Sequence, residues 1–513
     1  MASVIHVKNP NGTTYVYENI SYWNKEKKKT QHKRKCVGQL DPITGDVIPN
    51  HKKDGKISTE YKKQSCSVIG NGISLLLDKV AEESGFLKIL KQVFSEDWQQ
   101  ILTCAYFLVS EGDALCHAEK WSATNLSPHG TSLTSQRISE LLSRINRGLQ
   151  QDFFKAWIKH NSNDEYYALD ITSVSSYSEI IDFVRYGYNR DGEDLAQINM
   201  LMISGEKSRM PLYYQAIPGS IKDVSTLKNT LEQLDCIQAG KLHLVMDKGF
   251  YSKDNIDALY SAGMRFMIGV PFTVGYAREQ VEKAREEDIM SHENYRMIFD
   301  DEIFVKSSLT KWNGHRLYVH VYFDSLKAEL EYKKFNHLLY ICCKELEAGE
   351  FIRAHESYYK KYFIIKETPK RGRKVEYNQA AINEHRKNTV GWFVMITNDI
   401  KDPIKALEIY RRKDTVEKSF DNLKNDLDCK RLRIHSSQTM DGRLFIQFIA
   451  LILCEKIQLT MNEAGWFKNH SMQDVINEMK SLRQVSVEGN TKKYNTTPTS
   501  FQGQIAELFG LNI

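Results

Sequence analysis

The spacing of apolar and polar residues divides the chain into regions of different predicted secondary structure. Residues 1–50 hold short strand-like runs separated by the turn sequences Asn-Pro-Asn-Gly at 9–12 and Asp-Pro-Ile-Thr-Gly-Asp at 41–46. From Gly70 to about Asn161, apolar residues recur at the spacing of a helix face. From about residue 165, short apolar runs alternate with helical segments. The pattern predicts a small β region, then a helical domain, then an α/β domain.

The α/β stretch shows a series of predicted strands with helices between the later ones. The strand-like runs are 166–169, 198–203, 212–216, 242–246 and 266–270, and the helical segments are 225–234 and 252–262. This order predicts a mixed α/β sheet. Residues 275–385 differ in character, with β-rich pieces at 317–322 and 338–343 and a basic turn at 370–374. Because a clear strand resumes at Trp392–Ile396, we expect a β-rich insertion within the α/β domain.

The stretch Tyr410–Lys424 predicts a helix with a chemically distinct edge. At about 100° per residue, four polar residues share an arc of about 60°; they are Tyr410, Lys413, Glu417 and Lys424. Apolar side chains lie beside that arc, namely Ile409, Val416, Phe420, Leu423 and Leu427. The pattern predicts a core-packed helix that points one carboxylate, flanked by cations, toward an anionic group.

Two further acids follow predicted strands. Asp170 comes after Tyr-Tyr-Ala-Leu at the predicted end of the first strand, and Asp247 comes after Leu-His-Leu-Val-Met. Open α/β sheets bind ligands at the carboxyl ends of their strands. Each Asp alone is also explained as a turn former or a helix cap. Together with Glu417, the two indicate a cluster of three carboxylates.

A cluster of carboxylates without His or Cys suits Mg²⁺ or Mn²⁺, which prefer oxygen ligands. Two such ions about 3.5–4 Å apart stabilise the attacking and leaving oxygens of a phosphoryl displacement. The neighbouring cations Lys413 and Lys424 suit the phosphates of such a substrate. We therefore expect Asp170, Asp247 and Glu417 to hold two Mg²⁺ ions, with Mn²⁺ able to substitute.

Positive charge is concentrated near the N-terminus. The whole chain carries a net charge of +5, whereas residues 1–63 hold thirteen Lys and Arg against six Asp and Glu, a local net charge of +7. The candidate DNA-binding cations here are Lys25, Lys27, Lys28, Lys29, Lys33, Arg34 and Lys35, and they follow the aromatics Tyr15, Tyr17, Tyr22 and Trp23. Cations displace counterions from a phosphate backbone, and aromatic rings stack on bases. A solvated basic loop explains the same run equally well.

Composition is typical of a soluble globular protein of two to four domains, with 513 residues, 41% hydrophobic and 26% charged. The longest apolar run, Leu444–Leu453, contains Gln447 and is too short to span a membrane, so we expect no membrane partner. The N-terminus lacks the apolar core of a signal peptide, which favours the cytoplasm. Nine cysteines without a CxxC pair predict reduced thiols and no zinc site, with Cys342 and Cys343 in an apolar strand.

These residues resemble the DDE transposases of bacterial insertion sequences, in the subgroup of the insertion-sequence-four type. The signature of that subgroup is Tyr, Arg, Glu and Lys separated by two, three and six residues, and Tyr410, Lys413, Glu417 and Lys424 have this spacing with Lys in place of Arg. The first-acid motif is matched by Ala-Leu-Asp-Ile-Thr-Ser at 168–173 and the second by Val-Met-Asp-Lys-Gly-Phe-Tyr-Ser at 245–252. Further similarity lies in 187–197, 211–214 and 441–448, so that the resemblance covers about residues 70–460.

The resemblance implies an RNase H-like fold. This is a mixed sheet with helices on both faces, interrupted by a β-rich insertion and preceded by a small β-hairpin region and a helical domain. The expected domains are 1–65 (basic, DNA-end binding), 66–161 (helical, DNA binding or dimer contacts), 162–274 (first part of the catalytic core), 275–385 (insertion), 386–460 (second part of the core with the Glu helix) and 461–513 (C-terminal region, dimerisation).

The resemblance also implies a function. Such an enzyme binds double-stranded DNA with terminal inverted repeats, cleaves it with metal ions and joins the 3′-hydroxyls to target DNA, as a homodimer in a synaptic complex at the bacterial nucleoid. Asp170, Asp247 and Glu417 would be catalytic, and Tyr410, Lys413 and Lys424 would contact phosphates, although Lys413 offers a point charge where Arg offers a planar fork. Two alternatives stay open: a metal-dependent RNase H-like nuclease without strand transfer, and a non-catalytic DNA-binding derivative of a transposase.

Overall fold

The computed structural model describes residues 2–10, 12–42, 44–49, 66–161, 164–298, 301–368, 372–434, 436–487 and 492–513. The chain divides into two compact units, Met1–Ser65 and Cys66–Ile513. Two parts of the sequence analysis fall outside the described residues. These are the cations at positions 52–63 and the first two residues of the basic turn, Lys370 and Arg371.

The described residues of the first unit form an antiparallel sheet with strands in chain order. The strands are β1 (Ala2–Lys8), β2 (Thr14–Asn24), β3 (Lys29–Leu40) and β4 (Val47–Pro49). The two turn sequences lie where they are predicted, between β1 and β2 and between β3 and β4. A further turn at 25–28 joins β2 to β3, and Lys28 closes it in the left-handed region at φ 43°.

The second unit begins with a short strand and a helical region, as the apolar spacing predicts. The elements are β5 (Cys66–Gly70), α1 (Gly72–Glu83), α2 (Phe86–Val93), α3 (Trp98–Glu111), α4 (Ala118–Thr124), α5 (Ser135–Arg144) and α6 (Arg147–Asn161). The residues that recur at helical spacing, such as Leu76, Leu77 and Val80, are fully buried. The burial of these apolar side chains supplies most of the stability of such short helices.

A mixed sheet forms the centre of the second unit. Its nine strands among the described residues are β6 (Tyr167–Ser175), β7 (Gln197–Gly205), β8 (Pro211–Pro218), β9 (His243–Met246), β10 (Arg265–Gly269), β11 (Tyr295–Ile298), β12 (Asp301–Trp312), β13 (His315–Asp324) and β16 (Trp392–Thr397), in the order β11-β12-β13-β16-β10-β9-β6-β7-β8. The sequence analysis located the strands β6–β10 and β16 correctly to within a few residues, apart from the length of β6.

The strand directions give the sheet its mixed character. Strands β6, β7 and β8 pair antiparallel in succession, whereas β9 and β10 are parallel to β6. The helices α7 (Leu227–Cys236) and α8 (Lys253–Ser261) precede β9 and β10. Parallel neighbours need such crossovers because the chain must return to the same end of the sheet. β16 then pairs antiparallel with β10 and with β13.

The segment 275–385 contains more helix than the sequence predicts. Besides β11–β13, its described part holds α9 (Gly275–Glu286), α10 (Ser325–Ala348), α11 (Glu356–Tyr362), β14 (Phe363–Thr368), β15 (Gly372–Tyr377) and the start of α12 (Gln379–Asn388). The segment is therefore mixed α/β rather than β-rich, and β11–β13 extend the central sheet.

The predicted strand at 338–343 is wrong, because these residues lie inside α10. The apolar run is short enough to fit either period. Tertiary packing decides for the helix, since Phe335, Leu339, Cys342 and Leu346 are spaced three or four apart and enter one small core.

The last elements are α13 (Pro403–Arg412), α14 (Asp414–Asp421), α15 (Ser437–Glu463), α16 (Met472–Lys480), β17 (Arg483–Val487), β18 (Lys493–Asn495) and α17 (Ser500–Phe509). Of these, α13 and α14 pack against the central sheet, and α15 to α17 with β17 pack against the helical region. By length and composition, α15 is the one described helix that is long and apolar enough to cross a membrane, and 78% of its apolar window is buried within the protein. It packs against α3, α5 and β8, so that the helices and the sheet share one hydrophobic core.

Candidate active site

Strand pairing brings the first two acids together. β6 and β9 run parallel with Leu169 opposite Met246, and Asp170 and Asp247 are the residues that follow this pair. β9 ends directly before Asp247, as predicted, but β6 continues past Asp170 to Ser175 because its antiparallel pairing with β7 persists. Asp170 therefore lies inside its strand, and the prediction that it ends the strand is wrong. Asp170 nevertheless lies where β6 loses its pairing with β9, beside the end of that strand.

The third acid lies on a helix that is not continuous. The predicted single helix over 410–424 is divided into α13, α14 and a π-helix, Asn422–Asp426. At the junction, Lys413 N–H donates to the Tyr410 carbonyl at 3.1 Å and Val416 N–H donates to the Lys413 carbonyl at 2.9 Å. These hydrogen bonds span three residues, as in a 3₁₀-helix, and tighten the backbone at Lys413. The π-helix at 422–426 instead has a wider backbone turn. Both changes displace side chains from the angles of an ideal helix.

The start of α13 is set by local sequence. The Asp402 side chain accepts a hydrogen bond from the Ile404 N–H at 2.9 Å, and Pro403 occupies the first turn of the helix. An acidic cap followed by Pro is a strong helix start, because Pro has no N–H to leave unpaired and its φ already suits a helix. This start fixes the direction in which Tyr410 and Lys413 approach the sheet.

Two contacts join the helix to Asp170 and Asp247, and a third links Lys413 to Glu417 within the helix. The Tyr410 hydroxyl donates to Asp247 Oδ1 at 2.9 Å. Lys413 Nζ lies 3.7 Å from Asp170 Oδ2 and 3.5 Å from Glu417 Oε1. A Cβ at position 269 would lie 3.1 Å from the Tyr410 hydroxyl, so Gly269 on β10 leaves room for the phenol. Three acids from three separate elements thus converge around one tyrosine and one lysine.

Burial and charge act in opposite directions at this cluster. Burial raises the pKa of Asp170, although the Lys413 ammonium lowers it. Burial alone would lower the pKa of Lys413, but Asp170, Asp247 and Glu417 raise it above its ordinary value. Burial and the neighbouring Asp247 hold the pKa of Tyr410 far above its usual range. Lys413 therefore stays a cation and Tyr410 stays a neutral donor at any physiological pH.

The three carboxylates lie near one another, but their oxygen atoms do not converge on one position. Among the described residues they do not form a group whose ligand atoms all lie within 4.8 Å of one another. The Lys413 ammonium lies between Asp170 and Glu417 instead. Glu417 itself is 61% exposed at its side chain, so it is free to adjust its rotamer toward a ligand.

Lys424 is directed elsewhere. Its ammonium group contacts Asp191 Oδ1 at 2.6 Å and Oδ2 at 2.9 Å, in the loop between β6 and β7. The π-helix rotates this residue away from the position that a regular helix would give it. The same loop is held by an ion pair of 2.7 Å between Glu193 and Arg431. Lys424 thus fixes this loop beside the helix and contacts none of the three acids.

One acid behind the helix, Glu455, was not predicted from the sequence. Glu455, on α15, is 2% exposed, and its Oε1 accepts a hydrogen bond from Asn422 Nδ2 at 3.3 Å. Burial raises the pKa of Glu455 to about 6, although Ser419 and Asn422 stabilise the carboxylate. Ser419 and Asn422 flank the end of α14, so Glu455 supports the helix that carries Glu417. The signal in the sequence is an acid that directly follows the mostly apolar run Leu444–Cys454.

The basic residues of the first unit form a separate surface. Lys25, Lys27, Lys28, Lys29, Lys33, Arg34 and Lys35 are all exposed, on the 25–28 turn and on β3. Since successive side chains of a strand point to opposite faces, Lys33 and Lys35 share one face and Arg34 lies on the other. Trp23 and Tyr22, at the end of β2, are exposed beside the same turn.

Comparison with known proteins agrees with this geometry. The family model described as "Transposase DDE domain" matches residues 162–453, more than half of the chain. The match includes Asp170, Asp247 and Glu417. No curated protein matches the sequence.

One solved structure shows a weak similarity to this chain in both sequence and fold. It is a cryo-EM structure of a piggyBac transposase synaptic complex with hairpin DNA, at 9% sequence identity and a TM-score of 0.36, covering 78% of this chain and 70% of that chain. At this TM-score the likeness adds no support, and the assignment depends on the family match and the converging acids. On that basis, the chain belongs to the family of DDE-domain transposases.

Proposed function

We propose that this protein cleaves DNA at terminal inverted repeats and transfers the ends of a mobile element into target DNA. The observation that carries the proposal is the convergence of Asp170, Asp247 and Glu417 around Lys413. These acids come from two strands and a helix far apart in sequence. The spacing of Tyr410, Lys413, Glu417 and Lys424 supports the insertion-sequence-four subgroup.

The proposed catalytic core comprises β6–β10 and the helices around them, arranged as an RNase H-like sheet. The support is topological: three antiparallel strands in succession, then two strands parallel to the first. That arrangement places Asp170 and Asp247 side by side where β9 ends. The segment 275–385 lies between Asp247 and Glu417, as it does in members of the subgroup.

The proposed cofactor is Mg²⁺, two ions per site, held by the three carboxylates. The donor set fits such ions because it offers only oxygens, at a partly open edge of the sheet. Bound Mg²⁺ would activate the attacking oxygen and stabilise the leaving oxygen of the phosphodiester. The Tyr410 hydroxyl orients Asp247 by donating to one oxygen and leaves the other free. Lys413 supplies the positive charge that keeps three acids together and that a substrate phosphate can share.

The metal requirement gives a direct prediction. Mg²⁺ and Mn²⁺ should support cleavage of DNA that carries the element ends. Ca²⁺ should support DNA binding with little cleavage, because its looser coordination does not hold the reacting oxygens in line. A cleavage assay and a parallel binding assay in each metal would measure this. Cleavage that persists in excess EDTA would contradict the carboxylate site.

The basic hairpin of the first unit, formed by β2, the 25–28 turn and β3, gives a second prediction. Replacing Lys25, Lys27, Lys28 and Lys29 by Gln should weaken binding to end DNA. The slope of log K against log salt should fall by up to about 3.6, at about 0.9 for each lost phosphate contact. Fluorescence anisotropy at several salt concentrations would measure the slope.

The matched control removes the same charge from another surface. Lys283, Lys344, Lys360 and Lys374 are exposed and each pairs with a nearby glutamate. Their replacement by Gln should leave the slope close to that of the unchanged protein. An equal decrease in both variants would mean that total charge, rather than the hairpin, sets the salt dependence.

The proposed reaction is tested with paired DNA ends and a target plasmid. Joined products, with 3′ ends of the element linked to target DNA, would establish strand transfer. Cleaved ends without joining would favour a nuclease, and binding without cleavage would favour a non-catalytic derivative. A homodimeric synaptic complex, the assembly that we propose, would be seen as two DNA ends retained per protein dimer.

A further inference from the structure

A second cluster of polar groups lies within the segment 275–385, away from the acids described above. Here α10, α11, β14 and the first part of α12 enclose a small hydrophobic core of their own. Three potential metal ligands border this core: Cys342, Glu345 and His355. Their sulfur, oxygen and nitrogen ligand atoms all lie within 4.8 Å of one another, which is true of no other group of three such ligands among the described residues.

The positions of the three residues follow from the local fold. Cys342 and Glu345 are three residues apart on α10, so they share one face of the helix. His355 ends the short 3₁₀ turn Arg353–His355 that leads into α11. Its Nδ1 lies 2.9 Å from Glu345 Oε2 and 3.1 Å from Oε1. The Tyr359 hydroxyl, on α11, also donates to Glu345 Oε2.

The cluster is shielded from solvent. Cys342 is 0% exposed and Glu345 is 8% exposed, while the His355 side chain is 23% exposed. No hydrogen bond joins the Cys342 thiol to another side chain within the described part of the chain, whereas the adjacent Cys343 thiol contacts Glu347. Free Cys is common in protein cores, so the informative observation is that this buried thiol lies close to both a carboxylate and an imidazole.

We propose that Cys342, Glu345 and His355 bind one Zn²⁺ ion in this segment. Thiolate, carboxylate and imidazole are all ligands that zinc uses in proteins. One thiolate and one carboxylate balance the charge of the ion, which removes the cost of a net charge in a buried place. The Tyr359 hydroxyl would orient the ligating carboxylate from outside, and water would take the fourth position.

The expectation of no zinc site relied on the absence of a CxxC pair. That pattern finds sites built from paired cysteines, and it overlooks one cysteine combined with Glu and His from neighbouring turns. The alternative to a metal is a hydrogen-bonded network in which Glu345 accepts from His355 and Tyr359. The two interpretations differ at the thiol, because in a network Cys342 only packs in the core, whereas in a zinc site its sulfur binds the ion.

Zinc binding at this site would displace a proton. The S–H bond of Cys342 would break as the S–Zn bond forms, with the proton released to solvent.

The experiment uses the full chain and does not depend on transposition. Protein purified without chelator is measured for zinc content, then loaded with Co²⁺ in place of Zn²⁺ and examined by absorption spectroscopy. We expect one metal ion per chain, together with tetrahedral Co²⁺ bands and a thiolate-to-Co²⁺ charge-transfer band. Cys342→Ser should lose the charge-transfer band and bind metal far more weakly, whereas Cys343→Ser should keep both, as the matched control.

Two results would overturn the proposal. The first is that the protein without substitutions binds no stoichiometric zinc and shows no thiolate-to-Co²⁺ band. This measurement does not depend on the folding of any variant. The other is a Cys342→Ser protein that keeps the metal and the band. Asp170→Asn/Asp247→Asn protein serves as a further control, because it should retain the zinc and the Co²⁺ spectrum if the ion lies in the segment 275–385.

Discussion

Asp170→Asn, Asp247→Asn and Glu417→Gln should each reduce DNA cleavage and strand transfer by about 10⁴-fold or more, a loss typical of removing one member of a catalytic unit. Each amide keeps the shape of its acid but removes the charge that would hold a metal ion in the proposed site. Folding and end binding should persist, because the basic hairpin lies in the other compact unit. Cleavage assays and anisotropy titrations on the same preparations would separate the two effects.

The combined variant and a neighbouring acid sharpen this test. Residues that act as one unit are non-additive, so the triple variant should cleave no more slowly than a single one. Asp414 provides the control, since it is exposed on the first turn of α14 and influences Tyr410 only at a distance. Asp414→Asn should retain near-normal cleavage. If it abolishes cleavage while Glu417→Gln remains active, the assignment of Glu417 is wrong.

Arg443→Met should lower the free energy of unfolding by about 3 kcal/mol, as expected when one partner of a buried ion pair is removed. Arg443, on α15, is 3% exposed at its side chain, and its Nη2 donates to Asp428 Oδ2 at 2.7 Å. Asp428 is itself only 8% exposed and adopts a positive φ of 54° just after the π-helix. The change leaves a carboxylate without its closest partner in the core. Urea unfolding followed by tryptophan fluorescence would measure the loss.

The pH dependence and two controls test the cause of that loss. Burial raises the pKa of Asp428, so the destabilisation should shrink as pH falls and the stranded carboxylate takes up a proton. Asp428→Asn combined with Arg443→Met should recover part of the lost stability. Lys283→Met, in the exposed pair with Glu279, should cost less than about 1 kcal/mol. A loss in Arg443→Met that does not change with pH would indicate a packing defect instead of an unpaired charge.

Much of the fold was predictable because apolar spacing is a local property. The runs that became β7, β8, β9 and β10 hold mostly apolar residues, as buried strands do. The helices α7 and α8 show the longer period. The acids were found for the same reason, since Asp247 directly follows a run of apolar residues that ends a strand.

Other elements could not be predicted from local patterns. The apolar residues at 338–343 fit a strand or a helix equally well, and only their packing against α11 and α12 selects the helix. Asp170 stands at a polar break that suggests a strand end, yet β6 continues because β7 pairs with it as far as Ser175. The junction at Lys413 likewise depends on packing, since nothing near it resembles a helix stop.

The sequence by itself determined which residues are candidates for the chemistry: three acids, one tyrosine and two lysines. Only the tertiary structure decided which of them meet. Parallel pairing of β6 with β9 makes Asp170 and Asp247 neighbours, and Tyr410 reaches Asp247 across 163 residues of sequence. Lys424, predicted to join them, pairs with Asp191 instead, 233 residues away. The physical reason is that the partner of a side chain depends on which strands pair and on local changes in helix geometry. The spacing of residues along one stretch of sequence contains neither kind of information.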